Sequence, residues 1–223
     1  MAIFELEEKL FSEWRNVRSD FVADGVADEK NYLESSRKIL FILKEVNSPG
    51  EGGWDLRNLL REPDRPQTWN NITRWIEGIR RLPEEILWED LVDIDQTRRY
   101  RSLISIAAVN LKKSPGGHTS DPAEVAKIAE EDKLFLNRQI SLYDADLIIC
   151  CGTSDPFHWL VSVCEEPDWK MTKRGTWFHE YKPGKFVVSY LHPEARCAPQ
   201  LLYYGLIDAI REITILKDTL TNN

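Results

Sequence analysis

Cysteine is scarce in this sequence, and the four cysteines present form no recognisable ligand or disulfide pattern. They are Cys150, Cys151, Cys164 and Cys197, without a C-x-x-C pair or the Cys/His spacing typical of zinc sites. Cys150 and Cys151 end an apolar run, which predicts buried free thiols. We therefore expect no metal and no cofactor.

Long apolar segments are also missing. No run approaches the roughly 20 residues that a membrane-spanning helix needs. The first ten residues, MAIFELEEKL, are acidic and amphipathic, unlike a signal peptide. A chain of 223 residues can bury a substantial core without disulfide bonds. These features predict a soluble cytoplasmic protein that does not act at a membrane.

Positive charge is in deficit, because 29 lysines and arginines stand against 37 acidic residues, for a net charge of −8. This balance argues against indiscriminate binding to nucleic acid. Basic residues nevertheless cluster locally, and a short cluster of this kind is more often solvated surface than a binding site. The clusters are Arg98, Arg99 and Arg101; Lys112 and Lys113; Lys170, Lys173 and Arg174; and Lys182 and Lys185.

The chain does contain short apolar runs separated by helical patterns. Runs at 38–44, 104–110 and 145–151 predict buried strands, and a strand-like pair follows at 176–181 and 185–190. Buried strands that alternate with helices are typical of a parallel-centred sheet covered by helices on both faces. We predict an α/β fold with three layers, α/β/α, and a central, mainly parallel four-stranded sheet.

Helical periodicity and capping residues predict the surrounding helices. Apolar residues over 3–17 recur at helical spacing, and Asp55 and Asp121 stand where helix N-caps are expected. The largely polar segment that follows the first helix separates it from the first strand. We interpret residues 1–37 as an N-terminal helical extension and residues 38–223 as the main domain.

Polar residues follow the predicted strands at their carboxyl ends. Glu45 and Asn47 follow the first strand, Asn110 ends the second, Gly152 follows the third and His192 follows the last. Ligands of open α/β sheets bind beyond the carboxyl ends of the strands. We therefore expect these residues to converge along one edge of the sheet.

Together these side chains suit a small, planar, polar ligand. The amide of Asn110 offers a donor and an acceptor, so it can read the edge of a pyrimidine. Trp54 can stack on a ring, and His192 can stabilise negative charge that develops on a carbonyl oxygen. Glu45 or Asn47 can position a water molecule. Taken singly, each residue also has an ordinary explanation as a turn, surface or core residue.

The remaining reactive residues have weaker support. His118, His158 and His179 do not end a predicted strand, and we interpret them as structural. Cys151 precedes Gly152 and could suggest a nucleophile, but no motif for a general base accompanies it. We therefore do not place a cysteine in the candidate site.

Four short motifs lie at these strand ends and on the helix between them. They are VNSPG at 46–50, VNLKKSPG at 109–116, LNRQI at 136–140 before the strand that ends at Gly152, and LHPEAR at 191–196. In this order and spacing they resemble the motifs of the uracil-DNA glycosylase superfamily, over roughly residues 38–197. The resemblance implies the α/β/α fold and metal-free hydrolysis of the N-glycosidic bond of uracil or a related modified base in DNA. The target base would be flipped out of the stack.

The resemblance also implies roles for individual residues. Asn47 would hold the hydrolytic water, with Glu45 as a nearby substitute, and His192 would stabilise the departing base anion. The base would be bound by Trp54, Asn110, Pro49 and Gly50. DNA would be contacted by Lys112, Lys113 and Arg196.

Three positions depart from the family pattern. Val46 replaces a glycine, Asn47 stands where several branches have a carboxylate, and Glu194 follows His-Pro where a small residue is common. An amide orients water but is a poor general base. Two alternatives therefore stay open: a catalytically inactive member that binds nucleic acid or a base, and a hydrolase of free nucleosides or nucleotides.

Overall fold

The computed structural model describes residues 2–47, 53–62, 66–117, 119–155, 157 and 168–221. Strands in this part of the chain are β1 (Gly25–Val26), β2 (Ile39–Leu43), β3 (Ala107–Asn110), β4 (Leu147–Cys151), β5 (Lys170–Met171), β6 (Trp177–Lys182) and β7 (Lys185–Tyr190). Helices are α1 (Ile3–Arg15), α2 (Glu29–Leu33), α3 (Leu56–Arg61), α4 (Pro66–Arg81), α5 (Trp88–Leu91), α6 (Gln96–Leu103), α7 (Pro122–Glu131), α8 (Lys133–Tyr143) and α9 (Pro199–Thr221).

The strands form one sheet in the order β1-β3-β2-β4-β7-β6-β5. Neighbours among β3, β2, β4 and β7 are parallel, whereas β1 pairs antiparallel with β3, and β6 pairs antiparallel with β7 and β5. The mixed α/β class is therefore confirmed. The prediction of a four-stranded sheet is wrong, because the described residues form seven strands. Two of the added strands, β1 and β5, are only two residues long and carry no apolar run.

The central strands are buried on both faces, as their continuous apolar runs predicted. Every residue of β2 and β4 is buried. Alternate residues enter two separate hydrophobic cores, with Phe41 and Ile149 in one and Ile42 and Ile148 in the other. Residues of α4 and α9 complete the first core, and residues of α1 and α8 complete the second. Helices thus cover both faces of the sheet.

Residues 2–37 take part in this packing. They supply β1 at one edge of the sheet and the buried face of α1. The Trp14 ring stacks on Phe135 with 5.1 Å between ring centroids, and Arg18 pairs with Asp132 at 2.9 Å. The second core therefore contains residues from both the N-terminal segment and the middle of the chain.

Local sequence signals predicted several boundaries correctly. The side chain of Asp55 caps α3, and that of Asp121 caps α7 with Pro122 in the first turn. The second predicted strand is shorter than expected because the turn that ends α6 includes Ile104 and Ser105. Cys150 and Cys151 are buried and free. Among the described residues, no helix is both long and apolar enough to cross a bilayer.

Candidate functional site at the carboxyl edge of the sheet

The segments that follow β2 and β3 run side by side beyond the sheet. The amide of Lys112 donates to the carbonyl of Lys44 at 3.0 Å, and the amide of Gly116 donates to the carbonyl of Val46 at 2.8 Å. A further parallel bridge joins Asn47 to Gly116. These hydrogen bonds bring the first two predicted site segments together, as the shared sheet edge required.

Glu45 lies inside this pair of segments. Its side chain is 3% exposed, and Oε2 accepts from Nζ of Lys112 at 2.7 Å. Lys112 also contacts Glu124 at 3.0 Å. Burial acts to lower the pKa of Lys112, but hydrogen bonds to Glu45 and Glu124 outweigh it and the pKa is raised. The Glu45 carboxylate is thus held by a permanent cation.

Gly116 is required by the position of that carboxylate. A Cβ on Gly116 would lie 2.1 Å from Cδ of Glu45, whereas a Cβ on Gly117 would meet nothing within 4 Å. We expect Gly116→Ala to lower the free energy of unfolding by about 1–3 kcal/mol, because the added atom overpacks the site. Gly117→Ala is the matched control and should change stability by less than about 0.5 kcal/mol. Equal effects in urea unfolding of the two variants would contradict this placement of Glu45.

Asn110 lies at the end of β3 and is buried. Its backbone amide donates to Oδ2 of Asp24 at 2.8 Å, and its Nδ2 lies 3.4 Å from the same oxygen. The other oxygen of Asp24 accepts from Lys113 and, at 2.8 Å, from Nε2 of Gln139. Nζ of Lys113 also lies 5.1 Å from the centre of the Trp14 ring. A fully buried carboxylate therefore fixes the end of the strand that carries Asn110.

The structure does not place Lys112 and Lys113 where they could contact DNA. Lys113 is completely buried and pairs with Asp24, and the Lys112 side chain is only 5% exposed and pairs with Glu45. A phosphate could reach either ammonium only if a buried ion pair opened, which is costly. The predicted phosphate contacts of these two lysines are corrected accordingly.

His192 follows β7 in a turn anchored to α4. Thr68 donates a hydrogen bond to Glu194, and Nδ2 of Asn71 donates to the carbonyl of Pro193 at 2.8 Å. Within the turn, the amide of Glu194 donates to Nδ1 of His192 at 3.1 Å. The imidazole is therefore held by the backbone amide of Glu194, and the turn that contains both residues is held by α4.

His192 is neutral at physiological pH. Burial lowers its pKa below the ordinary value of 6.5, and Lys44 acts in the same direction, while Glu194 opposes both. Because Nδ1 accepts a hydrogen bond, the single proton of the neutral ring is assigned to Nε2. The ring thus presents one neutral N–H donor.

Gly152 brings the ends of three parallel strands together. It follows β4 with a φ of +66°, and its amide donates to the carbonyl of Tyr190 at 2.8 Å. A Cβ on Gly152 would lie 3.6 Å from Cε of Lys44 and 3.8 Å from Cβ of His192. Lys44 after β2 and His192 after β7 therefore flank Gly152 from either side.

A cavity of about 720 Å³ opens beside Lys44 and Gly152. One wall is the apolar side of α7, and the other is the segment after β4, where Thr153 donates to the carbonyl of Ile42 at 2.9 Å. The lining residues are Lys44, Pro122, Ala123, Val125, Ala126, Glu130, Gly152, Thr153, Ser154 and Asp155. The carboxyl edge of the sheet thus offers a partly open cavity next to a cation.

The other predicted residues have varied positions. Trp54 is half-buried and packs against the first core, and Arg196 is exposed in the turn after His192. His179 is buried and contacts Trp169, as a structural histidine would. Four residues discussed from the sequence lie outside the described part of the chain: the loop residues Pro49 and Gly50, and the histidines His118 and His158.

Sequence reasoning missed two residues that organise the site. Lys44 directly ends the apolar run of β2, and Asp24 is an acid inside the otherwise uncharged segment FVADGVA at 21–27. An isolated acid in such a segment is a signal for a buried partner, because a buried charge must be paired. The partner itself, Lys113, is 89 residues away and no local pattern indicates it.

Comparison with known proteins identifies no relative of this chain among protein-family models or curated proteins. A scan against protein-family models finds no match, and a search of curated proteins finds no significant match. Among the described residues, no group of three or more histidine, cysteine, aspartate and glutamate side chains is placed to hold a metal ion.

Proposed function

We propose that this protein is a DNA glycosylase that hydrolyses the N-glycosidic bond of uracil or a related modified base. The observation that carries the proposal is the neutral, backbone-fixed imidazole of His192, which stands beside Gly152 and Lys44 at the carboxyl edge of the parallel strands. The proposal includes the three-layer fold of the uracil-DNA glycosylase superfamily, a cytoplasmic location and DNA as partner.

In this reaction, water adds to C1′ of the sugar while the bond from C1′ to the base nitrogen breaks, and the proton that the water loses ends on the released base. The base leaves with the bonding electron pair, so negative charge develops on its ring and carbonyl oxygen. The neutral ring of His192 can stabilise that oxygen by donating a hydrogen bond from its Nε2–H. Lys44, which lies next to His192 across Gly152, adds a positive potential at the same edge.

Asn47 is the better candidate for positioning the water. The carboxylate of Glu45 already accepts from Lys112 and lies against Gly116, which leaves it poorly placed to hold a water molecule. Asn47 is partly exposed on the same segment. An amide orients water rather than deprotonating it, and an oxocarbenium-like transition state demands little of a general base. Asn110 and Trp54 are proposed to read and stack on the base.

The test is a base-release assay over oligonucleotides, single- and double-stranded, that carry uracil or bulkier modified bases. We expect free base and an abasic site from at least one substrate. If no substrate releases base and the protein does not retard any of the oligonucleotides, the proposal fails. Retention of DNA without base release would instead select the catalytically inactive alternative.

A hydrolase of free nucleosides or nucleotides is the second candidate. The observation in its favour is the burial of Lys112 and Lys113, which removes two of the three predicted contacts to a DNA strand. A free nucleoside or nucleotide does not need a series of contacts to the phosphates of a strand. The same assay should therefore include free nucleosides, and faster turnover of monomers than of oligonucleotides would select this function.

A further inference from the structure

A second cavity, of about 590 Å³, lies between α4 and α6, away from the candidate active site. The C-terminal end of α4 lines this cavity. The His192 turn, in contrast, is contacted by Asn71 near the start of the same helix. Arg80 lies nine positions after Asn71, which corresponds to about 14 Å along the helix. The lining residues are Ile76, Glu77, Arg80, Arg81, Ile86, Asp90, Arg98, Arg101 and Ser102.

The lining is basic although the protein is acidic. Four arginines face two acids there, in a chain with a net charge of −8. Arg98 is neutralised by Glu77, whose Oε1 lies 2.8 Å from Nε of the arginine. Arg81 pairs at the surface with Glu84 at 3.0 Å. Within the described part of the chain, the other two arginines, Arg80 and Arg101, form no ion pair with a carboxylate.

Arg80 is the less ordinary of these two residues. Its Nη1 donates to Oγ of Ser105 at 2.6 Å, and its Nη2 donates to the Ser105 carbonyl at 3.0 Å and to Oγ of Ser35 at 3.1 Å. Its Nε is buried and has no hydrogen-bond partner. Burial lowers the pKa of Arg80. A largely buried guanidinium is thus held by neutral oxygens alone, and an anion in the cavity would compensate its charge.

We propose that this cavity binds the diphosphate group of a small molecule. Guanidinium groups bind phosphate oxygens through paired, charge-assisted hydrogen bonds, and Arg80 and Arg101 supply two uncompensated ones. The volume is within the range of small-molecule sites. None of the described lining residues is aromatic, so recognition acts on the anion rather than on an attached base. This site is independent of the proposed glycosylase function.

The test is calorimetric titration of the full chain with pyrophosphate at low ionic strength. We expect saturable binding, and we expect Arg101→Ala to weaken it about tenfold, as the loss of one charge-assisted hydrogen bond predicts. Arg101→Glu should abolish it. Arg101 is exposed, so both variants should fold, and their unfolding curves check this.

Arg174→Ala is the matched control. Arg174 is also an exposed arginine, but it pairs with Asp208 on α9 and does not line this cavity. Its pyrophosphate affinity should equal that of the wild type. A parallel titration with a nucleoside diphosphate identifies the source of the anion: equal affinity indicates free diphosphate, and tighter binding indicates a nucleotide. Absence of binding at millimolar pyrophosphate, or equal losses in the Arg101 and Arg174 variants, would overturn the proposal.

Discussion

Replacing His192 with alanine is expected to slow base release at least about a hundredfold while the fold is retained. The size follows from the loss of one preorganised donor to a developing anion, which typically costs about 10²–10³ in rate. The side chain is only partly buried, and the surrounding turn is held by hydrogen bonds from Thr68 to the Glu194 side chain and from Asn71 to the Pro193 carbonyl. Single-turnover release from the substrate found in the panel measures the effect.

The conservative variant His192→Gln separates a donor role from a structural one. Its side-chain amide also offers a neutral N–H, so it should recover part of the rate that alanine loses. Wild-type activity should change with pH below 6.5, because the pKa of His192 is lowered from that value and protonation removes the acceptor for the Glu194 amide. The activity of the glutamine variant should not show this change with pH. Identical rates for alanine, glutamine and wild type would show that His192 takes no part.

The largest expected effect on stability is that of Lys113→Ala, which should lower the free energy of unfolding by about 3–5 kcal/mol. The substitution leaves the carboxylate of Asp24 buried without its cation. Asp24 and Lys113 are both completely inaccessible to solvent. Asp24 also accepts from the backbone of Asn110, so the end of β3 should loosen with it. Urea unfolding monitored by tryptophan fluorescence measures the loss.

Lys133→Ala is the matched control for this prediction. Lys133 also pairs with an acid, Glu130 at 2.6 Å, but both side chains are about half exposed. Exposed pairs of this kind contribute about 0–1 kcal/mol. A double variant, Asp24→Leu with Lys113→Met, removes both charges and should recover part of the stability that Lys113→Ala loses. A Lys113→Ala loss no larger than that of Lys133→Ala would mean that the buried pair contributes little.

The parts of the fold that could be predicted from sequence depend on local patterns. Continuous apolar runs predicted β2 and β4, because a strand buried on both faces needs no polar side. The caps at Asp55 and Asp121 depend on residues two or three positions away. In contrast, β1 and β5 are two residues long and exist only because a neighbouring strand supplies their hydrogen bonds.

The candidate site was predicted less completely for a similar reason. Residues at strand ends could be placed on one edge, and Gly152 and His192 do meet there, beside Lys44, which was not predicted. The environment of Lys112 and Lys113 could not be predicted, because their partners lie 67 and 89 residues away. Two adjacent lysines after a strand are typical of solvated surface. Only the tertiary fold turns them into the cations of two buried pairs.

The long separation between Asp24 and Lys113 has a consequence during synthesis. Translation adds roughly 5–20 residues per second, so the 89 residues between them take roughly 4–18 s to emerge. Throughout that interval the apolar face of α1, including Phe11 and Trp14, lacks the α8 surface against which it is buried in the finished protein. The nascent N-terminal segment therefore offers an exposed, aromatic-rich helix that a chaperone could hold until α8 leaves the ribosome.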